Sequence, residues 1–436
     1  MRRLFVRLGH PLVPVVLLLV GAGAAALPWL LAADQYQDRV VISLLIALLT
    51  LVVLAGWVLA CSGWRWWLRL LVIAPLILGP VCLRVDQVDA DLHPRLTWRW
   101  AATGDKPPPE VVQKVDELVA PAQVACRRFL GDEGRATLAG WRLASDWQAT
   151  PPRIRWQRPV GAAWSGCVVV DDAWWTMEQH GEQEVLSCYA LADASLRWRH
   201  SWPARYDSTL GGLGPRATPT WHAGMICAVG ATGVVVCCDA ATGVERWRQQ
   251  IVDAPELVPQ WGVSSSPWVE GELVYVAGAG SDGASLFALD LASGAIRWRG
   301  GQGGATSYAS PVIRTVAGVR QLLYTHEQRV GGYDPATGAE LWLQPLKKRG
   351  SNVTWPEALA DDRLFVSHGY GLGAGIWQLR RDAGRWSVES LWQGDVFRAK
   401  FSQFIVVDGL VYGLDDGRLA CFDPLRRQLR WSAPER

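Results

Sequence analysis

The sequence predicts an all-β propeller of repeated four-stranded blades, preceded by a membrane anchor of about three helices. Three observations predict it. Apolar runs fill the N-terminal end, at residues 11–33, 40–61 and 66–83. From Trp156 onward, tryptophan recurs at Trp198, Trp247, Trp298, Trp342, Trp392 and Trp431, with gaps of 42, 49, 51, 44, 50 and 39 residues. That is the period of a propeller blade. Aspartate and glycine also recur at set distances before several of those tryptophans.

The bulk composition agrees. Half of the 436 residues are hydrophobic and 19% are charged, which excludes a disordered chain. Lys+Arg is 43 against Asp+Glu 41, a balance that argues against a surface built to track nucleic-acid phosphates. The 26 Trp beside only 8 Phe indicate one structural role used repeatedly.

The N-terminal region, residues 1–100, is read as the anchor. The first two runs are uncharged, and a run of ~20 apolar residues crosses a ~30 Å hydrocarbon core. The third run is shorter and carries Arg69, Pro75 and Pro80, which leaves two spans as the alternative to three. Arg2, Arg3 and Arg7 precede the first run, and Arg65 lies between the second and third. Asp34 and Asp38 separate the first two runs, and Asp86, Asp89 and Asp91 follow the third. Positive residues mark the cytoplasmic side, so the N-terminus is expected inside and the propeller on the periplasmic or extracellular side. A cleaved signal peptide is the rival reading of the first run, but it leaves the later runs unexplained. Trp64, Trp66 and Trp67 read as an interfacial belt.

Residues 101–148 read as a linker with a short amphipathic helix over residues 110–119, and residues 149–436 as the propeller. Within it, Asp239-Ala-Ala-Thr-Gly243-Val-Glu-Arg-Trp247 matches both the stretch Asp290, Gly294, Trp298 and the stretch Asp334, Gly338, Trp342. Asp423 holds the same place before Trp431, with Arg427 where the glycine stood. The unit ending at Trp198 has Ala190 and Ala194 at those positions, and the unit ending at Trp392 lacks the turn. A carboxylate caps a tight turn, and glycine takes the backbone where φ is positive. A large indole can then pack between neighbouring blades. Stretches such as Glu272-Leu-Val-Tyr-Val-Ala read as inner strands.

The Asp-x-x-Thr-Gly-x-x-x-Trp pattern resembles the docking repeat of PQQ-like β-propellers. That superfamily includes quinoprotein alcohol dehydrogenases, the propeller lipoprotein of the outer-membrane assembly machinery and membrane-anchored bacterial repeat proteins. Gly214-Pro-Arg-Ala-Thr-Pro-Thr220, Trp261-Gly-Val-Ser-Ser-Ser-Pro267, Tyr308-Ala-Ser-Pro311 and Lys400-Phe-Ser402 carry the resemblance further. The family implies seven or eight blades where six complete repeats are visible. That leaves either a six-bladed ring or a chain shortened from seven or eight. The motif specifies the fold and is nearly silent on activity.

Chemistry is thinly marked. The dehydrogenases imply a vicinal disulfide against their cofactor. In Cys237-Cys238, however, strand alternation sends the two side chains to opposite faces, as in an ordinary strand. Cys126, Cys167, Cys188, Cys227, Cys237, Cys238 and Cys421 show no zinc spacing, and their pairing is open. The seven His (His10, His93, His180, His200, His222, His326, His368) form no metal-type pair, so no metal is expected. Gly369 to Gly375 reads as a wide turn. Glu178, Glu182, Arg216, Glu327 and Lys400 are loop-edge charges that would have to converge in a calcium–PQQ site. The longest insertion, residues 202–216, makes Arg205, Asp207 and Arg216 the candidate binding surface.

The leading expectation is a non-catalytic binding or scaffold module for a protein, envelope component or small ligand, without a cofactor. The alternative is a dehydrogenase of alcohols or sugars using PQQ and Ca, passing electrons to membrane quinone. No catalytic or cofactor-binding residue is assigned.

Overall fold

The computed structural model describes residues 12–30, 36–88, 94–101, 113–114, 125–137, 143–208, 211–303, 306–347 and 350–434. The chain divides into two compact units, Met1–Thr103 with Ser208–Gly212, and Gly104–Asp207 with Leu213–Arg436.

In the first unit three helices follow one another, α1 (Val13–Leu30), α2 (Tyr36–Ala60) and α3 (Trp66–Cys82). The first two are long and apolar enough to cross a membrane. They approach closely at Gly21, where a Cβ would meet Thr50 Oγ1 at 2.4 Å. Small residues let such helices come together. The third helix has 17 residues. At ~1.5 Å per residue it is shorter than a ~30 Å hydrocarbon core. It stops because Leu83 turns extended, with φ −102° and ψ 150°. Leu83 opens β1 (Leu83–Val88), which pairs antiparallel with β2 (Pro94–Trp98).

The second unit is a propeller of six blades. β3 (Gln113–Lys114) pairs with β5 (Trp156–Gln157) outside the blades. The helix expected over residues 110–119 otherwise lies outside the described residues. Blade 1 is β6 (Val168–Val170), β7 (Ala173–His180), β8 (Gln183–Ala190) and β9 (Leu196–Pro203), with β4 (Ala125–Cys126) added to its inner edge. A ribbon of β10 (Asp207–Ser208) and β11 (Gly212–Leu213) lies in the connection to blade 2. Blade 2 is β12 (Thr220–His222), β13 (Met225–Val229), β14 (Val234–Asp239) and β15 (Glu245–Gln250). Blade 3 is β16 (Trp268–Glu270), β17 (Leu273–Ala277), β18 (Leu286–Asp290) and β19 (Ile296–Gly300). Blade 4 is β20 (Val312–Val316), β21 (Val319–Thr325), β22 (Arg329–Tyr333) and β23 (Glu340–Pro345). Blade 5 is β24 (Glu357–Ala358), β25 (Arg363–His368), β26 (Gly373–Asp382) and β27 (Arg385–Gly394). Blade 6 is β28 (Ile405–Val407), β29 (Leu410–Asp415), β30 (Arg418–Asp423) and β31 (Gln428–Ser432).

Each blade is an antiparallel meander whose first strand is innermost. The stretch read as an inner strand, β17, is therefore the second of four. Its apolar run is buried because both faces of a middle strand meet neighbouring blades. The core passes from blade to blade. Met177 and Leu186 pack on Ile226 and Val236, Val235 on Val274 and Phe287, and Phe365 on Val411 and Phe422. On its other face, blade 1 is covered by Trp156, which stacks on Trp174 at 5.6 Å. Among the described residues no core cluster joins blade 6 to blade 1.

Residues 125–137 fill the channel between the innermost strands. Arg127 O accepts from Trp221 N at 2.7 Å. Arg128 donates to Val269 O at 3.1 Å and lies 4.2 Å from the Trp268 ring centre. Phe129 meets Trp355 edge-on at 5.9 Å. Gly134 O accepts from Arg314 Nη2 at 3.2 Å, and Arg314 is itself paired with buried Glu357 at 2.6 Å. The gap left beside Ser266, Ser310 and Trp355 is ≈ 10 Å³, about the least that holds one water.

Candidate functional site

The tryptophan repeat is the scaffold that aims the functional loops. Asp290 Oδ1 accepts from Ser293 N at 2.9 Å, and Asp334 Oδ1 from Thr337 N at 3.0 Å. Asp239 and Asp423 cap the equivalent turns through Thr242 N at 3.0 Å and Arg426 N at 3.1 Å. Gly243, Gly294 and Gly338 have φ of 75°, 74° and 73°. Beneath each lies the indole of the preceding blade, so that a Cβ would come within 2.5 Å of Trp198, Trp247 and Trp298 respectively. Those indoles donate across the joint, Trp198 to Ala240 O (3.1 Å), Trp247 to Leu291 O (2.7 Å) and Trp298 to Pro335 O (3.0 Å). Trp156 does the same to Leu191 O at 2.8 Å from outside the blades.

The repeat is not uniform. Trp342 donates to Gln321 Oε1 of its own blade at 2.6 Å, because blade 5 has a long β26–β27 hairpin in place of the docking turn. Trp392 instead leans on Phe422 at 5.1 Å. Trp431 is 46% exposed where Trp247 is 6% exposed.

A second device joins the blades near the axis. Gly166 N donates to Thr218 Oγ1 (3.1 Å), Thr218 N to Ser266 Oγ (3.0 Å), and Ser266 N to Ser310 Oγ (2.9 Å). Each hydroxyl stands just before a proline or an inner strand, in the stretches singled out from sequence. This belt sets the loops that lead into the innermost strands, and those loops gather with the turns joining second to third strands at one end of the channel. Residues 125–137 occupy the channel below them.

At that mouth, aromatic and cationic groups from successive blades come together. The Arg216 guanidinium lies 4.5 Å from the Tyr206 ring centre, and burial lowers its pKa. Tyr206 OH donates to Gln260 O. Trp261 and Tyr308 are 5.3 Å apart. Burial pushes the Tyr308 hydroxyl up to about 12, with Glu327, Tyr206 and Tyr370 near enough to add to it. Lys400 Nζ lies 4.9 Å from the Tyr370 ring and 5.5 Å from that of Phe401, which is 57% exposed. Sequence reasoning assigned no role to Tyr206, Trp261, Tyr308, Tyr370 or Phe401, although Trp261 and Tyr308 open two of the stretches it quoted and Phe401 lies in a third.

The other sequence-chosen residues are placed as follows. Arg205 pairs with Asp207 at 3.2 Å and donates to Gly181 O at 3.1 Å, on the rim. Glu182 is exposed beside Arg205, 3.7 Å away. Glu178 lies inside blade 1 rather than on a loop edge. It accepts from Gly161 N and His180 Nε2, both at 2.8 Å, and from Tyr189 OH. Burial alone would raise its pKa, but these bonds hold the carboxyl at about 2. Glu184, by contrast, is raised by burial, although Trp202 Nε1 of its own blade (3.2 Å) and Ala231 N across the first blade joint (2.8 Å) donate to it.

The donor set does not suit a calcium–quinone site. Calcium takes six to eight oxygen ligands, and no three His, Cys, Asp or Glu gather at one point among the described residues. Glu178 is committed to the protein's own donors. Cys237 is bonded to Cys227 and faces blade 3, while Cys238 faces blade 1, so no vicinal disulfide is presented at the mouth.

Comparison with known proteins gives a match to the family model described as outer membrane protein assembly factor BamB, over residues 181–433. No curated protein is significantly similar in sequence. Among solved structures, BamB from Moraxella catarrhalis is 17% identical with a TM-score of 0.42, over 62% of this chain and 76% of that one. Quinohemoprotein alcohol dehydrogenase from Comamonas testosteroni is 12% identical with a TM-score of 0.40, over 62% of this chain and 61% of that one. A europium-containing methanol dehydrogenase is 12% identical with a TM-score of 0.34, over 62% of this chain and 78% of that one.

Proposed function

We propose that this chain, which belongs to the BamB family of PQQ-like repeat propellers, is a non-catalytic binding module held at a membrane by its N-terminal helices. In this reading α1 and α2, with α3, anchor the chain in the cytoplasmic membrane, and the propeller stands on the periplasmic or extracellular side. The arginines before the first run and between the second and third support that orientation. The partner is a protein segment taken up at the channel mouth.

The observation that carries the reading is the assembly of Tyr206, Arg216, Trp261, Tyr308, Tyr370, Lys400 and Phe401 at one end of a channel filled below by residues 125–137. Aromatic and arginine side chains are the groups that anchor protein interfaces, giving large contact area with a polar handle. The family described as an assembly factor supports a protein partner over a metabolite. An oxidoreductase step is not assigned, since the donor set does not fit.

Site-specific photo-crosslinking from Tyr308 in the full membrane-bound chain tests the proposal. The expected result is a discrete adduct that Arg216→Ala and Phe401→Ala weaken without lowering thermal stability. An adduct pattern identical from Tyr308 and from the opposite-end residue Ala317 would overturn it.

A further inference from the structure

Beyond the Cys227–Cys237 disulfide, five cysteines lie after residue 100. Cys188, Cys238 and Cys421 are buried within blades. Cys126 and Cys167 are not: the first is half-buried and the second exposed. They belong to two segments outside the four-stranded meanders, the channel-filling residues 125–137, whose β4 edges blade 1, and the strap of residues 158–167 lying over blade 1.

The strand register brings them together. In the β4–β6 pair, Cys126 stands opposite Val169. Cys167 lies two residues before Val169, immediately ahead of β6, which puts it beside the end of the β4–β6 pair. Diagonal neighbours of this kind have Cα atoms ~7–8 Å apart, against at most ~6.8 Å for a disulfide. Bridging therefore requires the backbone at Cys167 to move, and Cys167, preceding β6, holds no strand-ladder pairing that such a movement would break. After burial, Cys167 is the largest influence on the Cys126 thiol, as expected of near neighbours.

We propose that Cys126 and Cys167 form a disulfide that fastens the channel-filling segment to the strap over blade 1. It rests on the extracytoplasmic placement of the propeller only for the compartment in which it forms. The step is thiol–disulfide exchange with a disulfide donor, either a small molecule or a dithiol protein. The Cys126 thiolate attacks the donor and expels one donor thiolate. The Cys167 thiolate then attacks Cys126 Sγ in the mixed disulfide and expels the second. The donor leaves as two thiols, carrying the two protons the cysteines release.

The latch has a structural consequence. The strap is already held by Gly161 on Glu178 and Gly166 on Thr218, and the channel segment by Arg314 on Gly134 O. A bond between Cys126 and Cys167 closes these two attachments into one loop. The filled end of the channel then stays filled when any single contact opens.

Differential alkylation and peptide mapping of the full chain in detergent is the test. After equilibration with oxidised glutathione, the expected result is a peptide joining Cys126 to Cys167 and protection of both from alkylation. Cys126→Ser should free Cys167 to alkylate and speed amide exchange across residues 125–137, leaving blades 3 to 5 unchanged. Full alkylation of both cysteines in the oxidised wild type, or pairing of either with another cysteine, overturns the proposal. Chain isolated from cells with acid-trapped thiols separates the two readings. If both cysteines are reduced there yet bond in glutathione, the latch stands and the extracytoplasmic placement fails.

Discussion

A Cβ on Gly338 would stand 2.5 Å from Cε3 of Trp298, so blade 4 can close on blade 3 only with hydrogen at that position. Gly338→Ala must therefore bear two costs, a φ of 73° and displacement of a buried indole. The expected loss of stability is about 3 kcal/mol. Gly318→Ala has a similar φ of 69° with nothing near the new methyl, and should cost about 1 kcal/mol. Equal losses in chemical denaturation would remove the docking explanation.

Trp342 offers a local counterpart. Its indole is buried and bonded to Gln321 Oε1 within one blade. Gln321→Leu strands that donor and should destabilise by about 1–3 kcal/mol. Thermal melts of the variant measure it, and a loss within error would mean that the indole finds water or another acceptor.

Glu178 and Glu184 should act on stability in opposite directions as pH changes. Glu178 has a folded pKa of about 2 against an ordinary 4.5. Its contribution is complete above pH 4.5 and is lost as pH falls toward 2. Glu184 is raised, so the folded state keeps its proton longer, and its contribution falls as pH rises through the ordinary glutamate range. Urea titrations between about pH 2.5 and 6 should show a shallower acid slope for Glu178→Gln than for wild type. They should show a steeper gain with rising pH for Glu184→Gln.

The Arg314–Glu357 pair is buried on both sides. Glu357→Gln leaves an uncompensated guanidinium and should cost about 3–5 kcal/mol, whereas Arg314→Met with Glu357→Leu should recover most of it. The double variant still lacks the donor to Gly134 O, so amide exchange in residues 125–137 should stay faster than in wild type. Exchange measured by mass spectrometry distinguishes the two effects.

Orientation is testable by itself. A periplasmically active reporter fused after Arg436 should be active, and one that works only in the cytoplasm should be silent. The reverse result would place the propeller inside.

Much of the fold was legible because blade formation is local. Asp290 and Gly294 shape one tight turn by their own hydrogen bonds and backbone freedom, and Trp298 follows at a set distance on the next strand. The same stretches read wrongly where position in the sheet mattered: β17 reads as an inner strand because burial on both faces looks alike in any middle or inner strand. Glu178 reads as a loop-edge charge because nothing in its neighbours announces that Gly161, His180 and Tyr189 will surround it. The aromatic mouth was half visible, in Trp261 and Tyr308, since their motifs repeat. Phe401 lies in the quoted stretch Lys400-Phe-Ser402, whereas Tyr206 and Tyr370 carry no repeat signal.

The sequence by itself determined the N-terminal apolar helices, the blade period, and the turns on which the indoles dock. Each depends on residues close together in the chain, through hydrophobic run length, carboxylate capping and positive φ. The tertiary structure alone decided that residues 125–137 enter the channel and that Trp342 turns back to Gln321. It also decided that Arg216, Tyr308 and Lys400 share one mouth and that Cys126 stands opposite Val169, two residues along the chain from Cys167. These depend on which blade lies beside which, and a repeat does not encode that in any one of its copies.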